Sequence, residues 1–242
     1  MKIFSITVVF CVGFFFFSCG SVPKSTPETV QDIPEQPDLT DNALFQEPSE
    51  PPELPDQPEL PEQPELPEQP ERPEPPEYIM GNGMVQGERL AEFILLNNSE
   101  ADNDFVFTLA GFYIEEAAAE GVNHDIAFAQ MILETGFLNF GGDVKPDQFN
   151  FCGLGAVGGG EPGLSFPDPR TGVRAHIQHL KGYASAEPLN QELVNPRFRF
   201  LVMLNRIGSA PTIQGLTGTW AMDPAYCEKI SSILNRLYDF SF

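Results

Sequence analysis

From residue 78 onward, apolar runs alternate with polar breaks at a spacing that predicts helices. Leu90, Phe93, Ile94 and Leu96 form an apolar stripe over Gly87 to Leu96, and the polar run NNSEADND ends it. A second helix is expected to start after Asp102 or Asp104, to carry Phe105, Leu109, Phe112, Tyr113 and Ala117 inward, and to stop at Gly121. Asn123 then caps a third, with Asp125 in its first turn, where the helix dipole favours an acid. Ile126, Ala127, Ala129, Met131 and Ile132 leave it little polar face, so this helix should be buried. Past its first turn its only acid is Glu134, one helical turn beyond Gln130.

The stretch from Gly136 to Pro169 is different in kind, rich in Gly, Asn and Phe. Long loops inside a compact domain are uncommon unless functional, and glycine lets the backbone approach a ligand closely. Around FNFCGLG the sequence is compatible with a small irregular β lobe or a loop-rich one. Helices resume over Thr171 to Ala184, Arg197 to Ile207 and Ala225 to Tyr238. The predicted fold class is mainly α: a helical domain with a small loop-rich or β lobe beside the buried helix.

The front of the chain changes the picture. Residues 1–18, MKIFSITVVFCVGFFFFS, place a lysine before a short apolar run and a small residue, the pattern of a secretory signal peptide. The run falls short of the about 20 apolar residues a membrane-spanning helix needs. The FFSC junction resembles a bacterial lipoprotein box, which implies cleavage before Cys19 and lipidation of its sulfur; the alternatives are a plain cleaved signal or an uncleaved anchor. Either way the chain is expected to leave the cytoplasm. Residues 19–77 are then a Pro/Glu-rich linker, with PELPDQ, PELPEQ and PELPEQ in tandem from Pro52 to Gln69. Such a composition cannot bury enough apolar surface to offset its own ordering entropy. As polyproline II, at about 3.1 Å per residue, it would extend roughly 180 Å, a spacer more readily than a PxxP ligand.

The linker also explains the net charge of −22. Residues 20–77 hold 16 acids against 2 bases, whereas residues 78–242 hold 19 against 10. The working domain is moderately acidic and has the length for one sizeable core. Without a basic face it is not expected to bind nucleic acid.

A carboxylate near the end of an apolar helix, facing a glycine-rich cleft, loses solvation and has its pKa raised. It then stays protonated near neutrality and can donate a proton to a glycosidic oxygen. On composition alone a surface or paired glutamate competes with that reading. Three ordered segments favour the first: Gln130 to Gly136 (QMILETG), Asn150 to Leu154 (NFCGL) and Trp220 to Tyr226 (WAMDPAY). Together they resemble the bacterial glucosaminidase family of peptidoglycan hydrolases, with its lysozyme-like superfold.

The resemblance implies that Glu134 is the general acid in cleaving the β-1,4 bond after N-acetylglucosamine, and that Gln130, Asn150, Phe151, Trp220 and Tyr226 belong to the substrate site. Trp220 stands where the family more often has tyrosine, and a packing role competes for it. The implied partners are peptidoglycan glycan strands and, through Cys19, the membrane of a bacterial cell envelope, facing the periplasm or cell wall. No cofactor is implied. A non-catalytic wall-binding lipoprotein and a lytic transglycosylase are the alternatives.

A second carboxylate is left open among Asp143, Asp147, Glu161, Asp168 and Asp223, with Asp223 also suited to serve the start of the last helix. An N-acetyl sugar can instead supply its own acetamido oxygen as nucleophile. His176 and His179 sit three apart on one helix but lack a third ligand at metal-binding spacing, so no metal site is expected. Arg170 and Arg174 are expected to pair with nearby acids. Cys152 and Cys227 form either a disulfide or two free thiols.

Overall fold

A computed structural model describes residues 72–242; the signal segment, Cys19 and the linker repeats lie outside the described residues. The described chain begins ahead of the expected domain start at residue 78 and is already docked there. Arg72 pairs with Asp239 at 3.1 Å, and the Ile213 N–H donates to the Glu77 carbonyl at 3.0 Å.

Seven helices follow: α1 (Gly87–Asn97), α2 (Asn103–Glu120), α3 (His124–Thr135), α4 (Pro169–Ala184), α5 (Phe198–Met203), α6 (Ile213–Leu216) and α7 (Tyr226–Ser241). The first three match their predicted bounds to within a residue or two, because their end signals are local. Asp102 accepts the Phe105 N–H at 2.8 Å, and Gly121 closes α2 in the left-handed region at φ 73°. Asn123 accepts the N–H groups of Asp125 and Ile126 at the start of α3. Asp168 caps α4 by accepting the Thr171 N–H at 2.9 Å, with Pro169 in the first turn, so this helix starts two residues before the predicted Thr171.

One expected helix needs correction. The helix predicted over Arg197 to Ile207 stops at Met203, where Asn205 turns left-handed at φ 52° and the Arg206 N–H returns to the Leu201 carbonyl at 2.7 Å. Of the two forms left open for the lobe around FNFCGLG it takes the loop-rich one, and among the described residues only isolated bridges occur, at Tyr78–Thr212, Met80–Val122 and Thr217–Ala221. Side-chain amides hold that lobe in place of a ladder. Gln148 donates to the Pro162 carbonyl at 2.7 Å, and Asn150 donates to the carbonyls of Leu154 and Leu164 at 2.9 and 3.0 Å.

α3 is the central rod. It packs on α2, α4 and α7, while α1 covers α2 and α7. Phe128, Met131 and Ile132 are fully buried, each contributing about 1.5–3 kcal/mol through area removed from water. Polar groups in the same core are paired. Asp125 accepts from the N–H groups of Met84 and Val85 and from the Tyr238 hydroxyl, tying the entering chain and α7 to the start of α3. Glu120 on α2 meets Lys181 on α4 at 2.9 Å, with both side chains shut off from solvent.

Candidate active site

Glu134 sits in the last turn of α3, so the rigidity of the central rod sets its position. The chain then leaves through consecutive left-handed residues, Gly136, Phe137 and Leu138, at φ 58°, 56° and 63°. For non-glycine residues this conformation is strained, and backbone bonds hold it. Phe137 N–H donates to the Ile132 carbonyl at 3.0 Å and Phe140 N–H to that of Thr135 at 2.9 Å. The turn swings the next segment back across the end of α3.

The opposite wall is the 150–154 loop. The Asn150 side-chain oxygen Oδ1 accepts the Leu154 N–H at 2.9 Å, closing a turn that places Gly153 beside the carboxylate. Gly153 has φ +68°, so glycine serves the turn; a methyl group there would lie 3.7 Å from Glu134 Oε2, an ordinary contact distance. Phe151 is buried in the core against Phe140, while Gln130 and Asn150 are buried with their amides committed to protein partners.

Gln130 is one link in a buried chain of hydrogen bonds. Its amide oxygen lies 2.9 Å from His176 Nε2, and its amide nitrogen donates to the Tyr226 hydroxyl at 2.9 Å. Tyr226 in turn donates to Glu134 Oε1, and the Tyr113 hydroxyl lies 2.9 Å from His176 Nδ1. Since an amide oxygen only accepts, His176 Nε2 must carry the proton and Nδ1 must accept from Tyr113. Burial, with the neighbouring His179, lowers the His176 pKa from 6.5 to about 3, so the ring is neutral. Every donor from Tyr113 onward therefore points toward Glu134.

Glu134 is open to water along the cleft and walled by protein elsewhere. Desolvation raises its pKa above the ordinary 4.5, against the opposing hydrogen bonds of Tyr226 and Trp220. Burial, the charge of Glu134 and the hydrogen bond to it raise the Tyr226 pKa far above 10, so that hydroxyl keeps its proton. The outcome is a carboxyl that retains a proton to higher pH than usual, held by a permanent donor.

The cleft at Glu134 has a volume of about 150 Å³ and is lined also by Asp143, Asn150 and Gly153. Asp143 accepts the Gly160 N–H at 3.0 Å. The other candidate acids are placed differently. Asp147 and Glu161 are exposed and do not line this cleft, Asp168 caps α4, and Asp223 holds the Ala225 N–H and Lys229 at the surface. An adjoining hollow of about 180 Å³ is lined by Trp220, His179, Tyr183 and Arg197 and shares Gly153 and Ala156 with the first. Trp220 both packs and faces open space: its ring is 5.2 Å from that of His179 and 5.6 Å from that of Tyr183.

Arg170 and Arg174 pair as expected, Arg170 with Glu115 and Glu116 and Arg174 through two bonds to Glu116. Cys152 and Cys227 are free thiols, so the disulfide alternative does not hold. The residues that sequence reasoning missed as part of the site are Tyr113 and His176. The available signal was Gln130, a glutamine on the face of an otherwise apolar helix, which requires partners once buried.

A family model described as glucosaminidase, mannosyl-glycoprotein endo-beta-N-acetylglucosaminidase, matches residues 110–239. A protein of Borreliella burgdorferi, described only as an uncharacterized protein, is 45% identical over 164 residues, which cover 68% of this chain and 78% of the relative. No solved structure matches. The matched span holds all three sequence segments and the whole path from Tyr113 to Glu134, and the chain belongs to the glucosaminidase family of peptidoglycan hydrolases.

Proposed function

We propose that the protein is an endo-β-N-acetylglucosaminidase that cleaves the β-1,4 bond between N-acetylglucosamine and N-acetylmuramic acid in peptidoglycan, with Glu134 as general acid. The observation that supports this most is a cleft carboxyl with a raised pKa, fixed by the Tyr226 donor at the end of a buried helix. In the first step the protonated Glu134 gives its proton to the glycosidic oxygen as the C1–O bond breaks. The acetamido oxygen of the same N-acetylglucosamine closes on C1 and takes up the developing positive charge. Water then adds to C1 as the bond from the acetamido oxygen breaks and the N-acetyl group is restored, the water proton passing to Glu134, which regenerates the acid. Asp143 shares the cleft and is the protein carboxylate suited to steady the acetamido N–H or orient that water. Trp220 and Tyr183 offer aromatic faces to the sugar rings.

The charged start, the apolar run and Cys19 support export and a lipid anchor, with the Pro/Glu-rich linker carrying the domain away from the membrane of the cell envelope. Cys19→Ala should then move the protein from the detergent phase to the aqueous phase on partition. The test of the activity is digestion of purified peptidoglycan with mass spectrometry of the new ends. Reducing N-acetylglucosamine ends are expected. Anhydro-muramic ends would instead make it a transglycosylase, and wall binding without any new ends would make it a binding module.

A further inference from the structure

From Leu193 to Met222 the sequence holds three arginines, Arg197, Arg199 and Arg206, and no Asp or Glu, within a chain of net charge −22. Most other basic side chains of the domain sit on a carboxylate, including Arg89, Arg170, Arg174, Lys181 and Lys229. Among the described residues no ion pair engages Arg197 or Arg206. Arg197 lines the Trp220 hollow, next to the cleft that holds Glu134.

The placement of Arg197 is built rather than incidental. Its N–H donates to the Asn195 amide oxygen at 2.9 Å, and its guanidinium lies over the Phe200 ring at 4.5 Å. Asn195 is fully buried, and its amide nitrogen also donates to the Ala175 carbonyl and to His179 Nδ1. That bond leaves the His179 proton on Nε2 and the ring neutral, since burial and the Arg197 charge lower its pKa to about 4. This end of the cleft thus combines a permanent cation, a neutral ring N–H and two aromatic faces, with no acid in its lining. The other end carries Glu134 and Asp143. A ligand spanning Gly153 crosses from an acidic to a basic environment, and its own charge decides which way it lies.

We propose that the Arg197 end is an anion subsite that takes a carboxylate borne by the peptidoglycan strand, and that this contact sets the direction and register of the strand at Glu134. The proposal rests on the peptidoglycan reading above. A guanidinium suits this role because its planar fork matches a carboxylate with two parallel N–H donors. The strand offers such a group from two sources, the lactyl carboxylate of a bare muramic acid and the carboxylates of a stem peptide. Either source would be repelled by the Asp143 carboxylate and drawn to Arg197, so the sugar without a carboxylate is left at the acid.

The test uses the full-length Glu134→Gln protein, which should bind without turnover, and the fluorescence of Trp220, the only tryptophan in the chain. The probes are peptide-bearing strands, peptide-stripped strands with free lactyl carboxylates, both after amidation of their carboxyls, and neutral N-acetylglucosamine oligomers. Amidation is expected to weaken binding by about tenfold or more, the loss of one charge-assisted contact. Adding Arg197→Met should impose the same loss on the charged strands, leave the amidated strands and neutral oligomers unchanged, and so erase the difference. Arg197→Lys should keep part of the preference. If only the stripped strands respond, the lactyl group is the ligand; if only the peptide-bearing strands respond, the stem peptide is. Equal binding of charged and amidated strands, or an equal loss on neutral oligomers with Arg197→Met, overturns the subsite while leaving the hydrolase reading in place. Binding of none of these glycans overturns both.

Discussion

Tyr226→Phe separates the roles of acid and donor. The Tyr226 hydroxyl donates to Glu134 Oε1 and accepts from Gln130 Nε2 at 2.9 Å. The donor stabilises the carboxylate, so it lowers a Glu134 pKa that desolvation has raised. Removing it should raise that pKa further. A hydrogen bond to a charged group contributes about 1.5–3 kcal/mol, and one pKa unit corresponds to about 1.4 kcal/mol. Glu134 is open to water along the cleft, so water replaces part of the lost bond and the lower figure applies, a rise of about one unit. A general acid must be protonated to act, so activity declines above its pKa, and the alkaline limb of the kcat profile should move up by about one pH unit. The same substitution leaves the buried Gln130 N–H without an acceptor, at a stability cost of about 1–3 kcal/mol. The assay is the initial rate of reducing-end release from peptidoglycan across pH for parent and variant, beside urea unfolding of each. An alkaline limb that stays in place or moves to lower pH would refute the assignment of Glu134 as an acid tuned by Tyr226.

Glu134→Gln should abolish turnover yet be no less stable than the parent at neutral pH. Below pH 4.5 folded and unfolded chains both hold this proton; above it the unfolded chain releases it first, so the carboxyl with a raised pKa costs stability there. Urea midpoints at successive pH values should show the advantage of the variant vanish on acidification. The histidines act with the opposite sign. His176 and His179 titrate at about 3 and about 4 in the fold against 6.5 outside it, so the unfolded chain binds protons first and stability falls as pH drops from 6.5 toward about 3. Midpoints that stay flat over that window would contradict two buried neutral rings. Glu120→Leu strands the buried Lys181 ammonium and should cost about 3–5 kcal/mol, and adding Lys181→Met should recover much of it. A double variant as unstable as the single one in urea would show that the loss lies in the Asn190 and Gln191 N–H contacts to Glu120 instead. Gly172→Ala would place a methyl group 1.8 Å from the Phe149 carbonyl oxygen. It should cost about 1–3 kcal/mol or more through overpacking, with a lowered Tm, and should depress activity by displacing the neighbouring Asn150 turn.

Much of the helical frame was legible in the sequence, since the signals for α1, α2 and α3 are local: a 3.6-residue apolar period, Asp102 and Asn123 as caps, Gly121 as a stop. Glu134 stood out for the same reason, as an acid where an apolar helix ends. Whether the lobe after it would be loop-rich or β stayed open in the sequence, and the fold takes the loop-rich form. What holds that lobe is the amides of Gln148 and Asn150 reaching carbonyls up to 16 residues away, and no local period encodes such contacts. α5 ends short of the predicted Ile207 because the backbone turns left-handed at Asn205, just after the apolar run Leu201 to Leu204. The hydrogen-bond path to Glu134 joins residues 63, 46, 96 and 92 positions apart. Sequence by itself determined which segments become helices and which acid is out of place, because backbone geometry answers to neighbours within a turn or two. Only the tertiary structure decided what surrounds that acid. Tyr113, His176, Gln130 and Tyr226 lie on four different helices, and hydrogen bonds that fail beyond a few tenths of an ångström exist only once packing sets those helices against one another.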